Sequence, residues 1–177
     1  YTDAGFTTPL KTSTNNGVVD TTPGSEDNPY VDWNANGYRL PTDAEWEYAA
    51  RYQDGTNWTP VDYMSGATAV FYDATASQEV AWYYDNSGGT QHSVGKKNAN
   101  QLGIYDMSGN VFEWNWDWRE EVIFGGFDPK GPTSGTYRLM RGGSSGNPGG
   151  GAVTGYRNQC YPYSDYYSES GLRVVRR

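Results

Sequence analysis

Cys160 and His92 are the side chains of this 177-residue protein best suited to redox, nucleophilic or metal chemistry, and each is the sole residue of its type. A lone thiol forms no internal disulfide and no thiolate-rich metal site, and a lone imidazole builds no multi-histidine centre. Cys160 is therefore read as a buried free thiol that packs as a small hydrophobe. Glu113 beside Trp114 resembles an acid against an aromatic wall. It reads better as core scaffolding, with its carboxylate hydrogen-bonded to backbone. The glycines at 149–151 are not followed by the Gly-Lys-Ser/Thr and helix of a phosphate cradle.

The remaining chemistry is recognition. Between residues 145 and 170 there is no Lys, Met or Trp, while Tyr, Ser, Gly and Asn dominate. All seven tryptophans lie at or before Trp118. Tyrosine offers a large contact area at low entropic cost, and Ser, Gly and Asn offer adaptable hydrogen bonds, which is the composition of an antibody paratope. By composition alone, a plain polar surface loop is the favoured reading.

The elements that position such a tail are sparse. Thr42 followed three residues later by Glu45 makes a capping box, and Trp46, Ala49 and Ala50 fall on one stripe, so a helix is expected over 42–52. "AVFY" and "VAWYY" read as brief strands or buried coil, and periodicity does not separate the two. "NVFEWNWDW" and "TYRLMRGGSS" read as a strand beside tight turns and a strand ending in a glycine turn. "GLRVVRR" reads as a closing strand with Leu172 and Val174 turned to the core. Residues 1–36 form a loop-rich opening to the same domain, which continues over 37–177 as an irregular α+β unit.

Composition excludes several functions. Thirteen basic against 21 acidic residues leave a net charge of −8, unsuited to a phosphate backbone, so no nucleic-acid partner is expected. Abundant Trp and Tyr argue for a folded core rather than disorder. No stretch approaches the roughly 18 apolar residues of a membrane span. The chain opens at Tyr1 without methionine, so an export or lipid-anchor signal upstream is compatible with it.

Four blocks, "YRLPTDAEWEYAAR", "NQLGIYDMSGNVFEW", "RLMRGGSS" and "GLRVVRR", resemble in order and spacing the formylglycine-generating-enzyme (sulfatase-modifying factor) branch of the C-type lectin fold. The resemblance implies a loop-rich α+β domain with a small antiparallel sheet near the C-terminus. In the family's oxidase, two working cysteines follow the glycine turn, and the matching positions here are Asn147 and Ala152. Neither supplies a thiolate, so no enzyme activity is expected and no catalytic residue, cofactor or catalytic metal is assigned. The resemblance leaves room for a structural calcium on backbone oxygens around residues 100–105.

A tail running from "RGGS" through Tyr/Ser/Asn-rich sequence to "GLRVV" also resembles the variable region of diversity-generating retroelement proteins, which share this fold. There, adenines of asparagine-type codons are randomised. With a pyrimidine third base, such codons never yield Lys, Met, Trp, Gln, Glu or a stop. Only Gln159 and Glu169 break that alphabet between 145 and 170, and they are read as fixed scaffold. The resemblance implies a hypervariable ligand-binding surface at Ser145, Asn147, Gly149, Gly150, Tyr156, Asn158, Tyr161, Tyr163, Ser164, Asp165 and Tyr166. The expected ligand is a protein or cell-surface molecule, and the expected location is bacterial, cell-surface or secreted. The alternatives are an invariant binding or accessory domain and a formylglycine-generating oxidase.

Overall fold

A computed structural model describes residues 1–10, 16–121, 125–164 and 168–176. The helix expected over 42–52 is α1, Asp43–Arg51. Its capping box forms as the sequence requires: Thr42 Oγ accepts the Glu45 amide at 3.2 Å, and the Glu45 carboxylate accepts the Thr42 amide at 2.9 Å. Trp46 and Ala50 are buried, packed with Met107 and flanked by Ala49. The stretch that periodicity left undecided contains two further helices, α2 (Ala74–Val80) and α3 (Tyr84–Ser87). Asp73 caps α2 by accepting the Ala76 amide at 3.1 Å. Two short helices bury Val80, Ala81 and Tyr83 with Met64 and Ala152, which is why neither shows a long apolar stripe.

Among the described residues, six strands make two sheets. β1 (Tyr38–Arg39) pairs antiparallel with β6 (Val175–Arg176), joining the start of the folded core to its end. The larger sheet has the order β4-β3-β2-β5, from β2 (Phe112–Trp118), β3 (Arg138–Arg141), β4 (Asn158–Cys160) and β5 (Ser170–Leu172). β2 is flanked by β3 and β5 and alternates strictly, with aromatics at 112, 114, 116 and 118, yet its polar residues Glu113, Asn115 and Asp117 are buried as well. Its pairing with β3 slips between Trp114 and Trp118. Phe112, Met140 and Cys160 form a core cluster across three neighbouring strands, so Cys160 is the buried free thiol that was expected.

The C-terminal segment departs from expectation. "GLRVVRR" is divided between β5, which runs parallel to β2, and β6, which belongs to the other sheet. The four-stranded sheet is thus mixed at one edge rather than wholly antiparallel. Leu172 is 66% exposed and Val174 is also exposed, so neither enters the core. Arg173, between them, turns inward and meets Glu113 at 2.7 Å. The ion pair, rather than the apolar side chains, orients this segment. No helix among the described residues is long and apolar enough to cross a membrane.

Candidate functional site

The tail leaves β3 through a turn that only glycine can make. Gly143 has φ +72°, and a Cβ there would lie 2.3 Å from the Gly151 carbonyl oxygen. Ser144 then receives two anchors. Its amide and hydroxyl both donate to Asn147 Oδ1 at 2.9 Å, and the hydroxyl also reaches the Glu169 carboxylate. A Cβ on Gly146 would approach that carboxylate to 2.8 Å. Glu169 therefore closes the tail at its base. Gln159, the other residue outside the restricted alphabet, is exposed on β4 opposite Leu139.

Of the expected contact residues, some face solvent and others do not. Ser145 is fully buried; its amide donates to the Asn110 carbonyl and its carbonyl accepts from Ser87 Oγ at 2.8 Å. Gly149 is buried against Phe71 and Met64, and Gly150 lies over the Phe71 ring. Ser145 and Gly149 are thus packing positions, because the chain turns back on α3 and the Phe71 loop. Asn147 is half-buried, its side chain turned to Ser144. Tyr156 and Tyr161 are 38% and 37% exposed, and Asn158, Tyr163 and Ser164 are half-buried between or beyond them. Asp165 and Tyr166 lie outside the described residues.

Tyr161 and Tyr163 stack with centroids 5.1 Å apart, and Tyr161 leans on Tyr137 at 4.5 Å with hydroxyls 3.0 Å apart. The Tyr137 hydroxyl is pushed above its ordinary pKa, first by this hydrogen bond. The Tyr163 hydroxyl is raised as well, first by burial, and the phenols of the shelf present both donors and acceptors. Sequence reasoning missed Tyr137 because it precedes the tail. The β3–β4 register, Arg138 opposite Cys160, brings it beside Tyr161.

The shelf is tied to the scaffold by Arg141. This guanidinium is wholly buried, donates to the Tyr156 carbonyl at 2.8 Å, and pairs with Asp43 at 2.8 Å and Glu47 at 2.6 Å. Burial pulls its pKa down, and the two carboxylates oppose that shift. Thr154 and Gly155 add backbone bonds to Tyr63 and Val61. A displayed surface held at so many points loses little entropy on binding.

The positions matching the oxidase cysteines do not approach that chemistry. Ala152 is fully buried beside Met64 and Tyr83, Asn147 serves the turn, and Cys160 lies in a separate core cluster. Glu113 is buried as expected, but its partners are side chains: Trp46 Nε1 at 2.7 Å and Arg173. In the loop at 100–105, the Asn100 and Ile104 carbonyls accept backbone amides, and the Tyr105 carbonyl accepts from Arg173 at 2.9 Å. A guanidinium against that oxygen opposes a second cation at Tyr105. Among the described residues no three His, Cys, Asp or Glu side chains converge as a metal site would require.

Residues 23–177 match the family model of the sulfatase-modifying factor enzyme 1-like domain. Among solved structures, Treponema denticola variable protein 1 superposes with a TM-score of 0.72 at 39% identity, covering 84% of this chain and 50% of that one. The chaperone protein LppX of Paenibacillus barcinonensis is 36% identical over 80% of this chain and 50% of its own length. The formylglycine-generating enzyme of Mus musculus is 31% identical over 76% of this chain and 34% of its own length. The chain thus spans about half or less of the relatives it matches.

Proposed function

The chain belongs to the sulfatase-modifying factor enzyme 1-like domain family, and within that family we propose that it is a non-enzymatic, ligand-binding member whose tail is diversified by a retroelement. The observation that carries this reading is the rigid tyrosine shelf of Tyr137, Tyr161 and Tyr163, continued by exposed Tyr156. It supplies aromatic faces and hydroxyls on a frame held by Arg141 and Glu169. Recognition then works by stacking and hydrogen bonding on a preorganised surface. Likeness to the Treponema protein supports the variable-tail part of the proposal. A protein or cell-surface ligand and a bacterial surface or secreted location complete it.

The decisive experiment is to sequence the locus in several isolates. A nearby near-identical template differing only at adenines, beside a reverse-transcriptase gene, is the expected result. Identical tails without such a template would replace this reading with an invariant accessory domain, which the similarity to a chaperone protein favours. Bound copper together with oxygen consumption would instead restore the oxidase.

A further inference from the structure

Outside the tail, a cleft of about 290 Å³ opens between one face of α1, the end of β2 and the turn at 129–132. Tyr48 and Trp58 form its exposed aromatic rim, edge to face at 5.3 Å, and Trp118 lines it from the core side. Six charged side chains line it, and four of them are matched. Arg51 pairs with Glu47 at 2.6 Å and Arg157 with Asp43 at 3.0 Å, while the buried Arg141 holds both acids from behind.

Asp117 and Glu120 are left without an ion-pair partner among the described residues. Asp117 is 5% exposed, and its Oδ2 accepts the Asp43 amide at 2.7 Å. Arg157 and Arg138 attract it from beyond ion-pair distance, yet burial still prevails and raises its pKa to about 6. A carboxylate in this condition gains from a cation brought to it. Beside it, the Trp118 indole N–H is buried and has no acceptor among the described residues, a condition native structures rarely leave without a reason. The cleft therefore offers carboxylates without an ion-pair partner among the described residues, next to two aromatic surfaces that favour an alkyl or guanidinium group.

We propose that this cleft receives a lysine or arginine side chain of a protein partner, whose cation meets Asp117 and Glu120 while its stem lies against Tyr48 and Trp58. The chain's net charge of −8 draws a basic partner toward it. The carboxylates and aromatic groups of the site lie on α1, around Trp58 and at the end of β2, and from the tail only Arg157, paired with Asp43, lines it.

The test is a titration of the ¹⁵N-labelled protein, following tryptophan indole resonances, with N-acetyl N-methylamide derivatives of arginine, lysine, norleucine and glutamate. Arginine or lysine is expected to shift the Trp58 and Trp118 indoles saturably, with affinity about tenfold or more above norleucine. Glu120→Gln and Trp58→Ala, both at exposed positions, are each expected to weaken that binding about threefold or more, with the dispersion of the remaining spectrum unchanged. Equal binding of norleucine, preference for glutamate, no shift up to the solubility limit, or insensitivity to both variants would overturn the proposal. Arginine against lysine tells which basic residue the partner presents.

Discussion

Arg141 lies wholly out of solvent, where an unmatched guanidinium would be prohibitive, and Asp43, Glu47 and the Tyr156 carbonyl share its charge. Removing the cation takes the buried guanidinium from both carboxylates, leaving Asp43 to Arg157 and Glu47 to Arg51, and empties a buried site, so Arg141→Ala is expected to cost about 3–5 kcal/mol, read by urea denaturation. Asp117 has the opposite character. Its carboxyl is raised from 3.8 to about 6 by burial, so the folded state holds the proton more tightly than the unfolded one. Its contribution to stability is present below pH 3.8 and is lost as pH rises through about 6. Relative to Asp117→Asn, the native protein should lose about 2–3 kcal/mol between acid and neutral pH, a difference that cancels the other titrating groups. Parallel denaturation curves for the two proteins across that range would refute the assignment.

At the scale of elements, the divided C-terminal segment makes a sharp contrast. Leu172 on β5 is exposed and Met140 on β3 is fully buried, although both are apolar strand residues. Leu172→Ser should fall within about 0.5 kcal/mol of the parent, whereas Met140→Ala should cost about 2–5 kcal/mol. Thermal melts of the two variants would decide whether β5 is oriented by its apolar residues or by the Arg173–Glu113 pair. The turn after β3 depends on Glu169 in a similar way. Glu169→Ala removes the acceptor of Ser144 and the contact beside Gly146, and faster amide exchange at Gly146 with unchanged exchange in β2 is the expected signature.

Across the whole molecule, the scaffold and the displayed surface separate cleanly. Tyr156, Asn158, Tyr161 and Tyr163 lie at or near solvent, while Ser145 and Gly149 are packed inside. A library randomised at the first four should keep cooperative melting in most clones. The same randomisation at Ser145 and Gly149 should abolish it in most, because each added atom must displace Asn110, Ser87 or Phe71. The aromatic cleft under α1 belongs to the scaffold side of this division, and Arg157, held by Asp43, is the tail residue that lines it.

The capping box at Thr42 and Glu45, the lone buried thiol and the glycine turn after β3 were legible in the amino-acid sequence, because each depends on residues close together in the chain. The family blocks carried the fold class for the same reason: they are local wording repeated in order. The short helices α2 and α3 were not legible, since their stability comes from burial against Met64 and Ala152 rather than from a periodic stripe. The restricted alphabet of the tail marked out a region, yet composition treats Ser145 and Tyr161 alike. Sequence alone therefore determined which residue types the proposed recognition surface would use. Only the tertiary structure decided which of them face water, added Tyr137 through the strand register, and set Asp117 in a cleft with no ion-pair partner among the described residues. Register, burial and desolvation arise from contacts between residues far apart in the chain, and no local pattern encodes them.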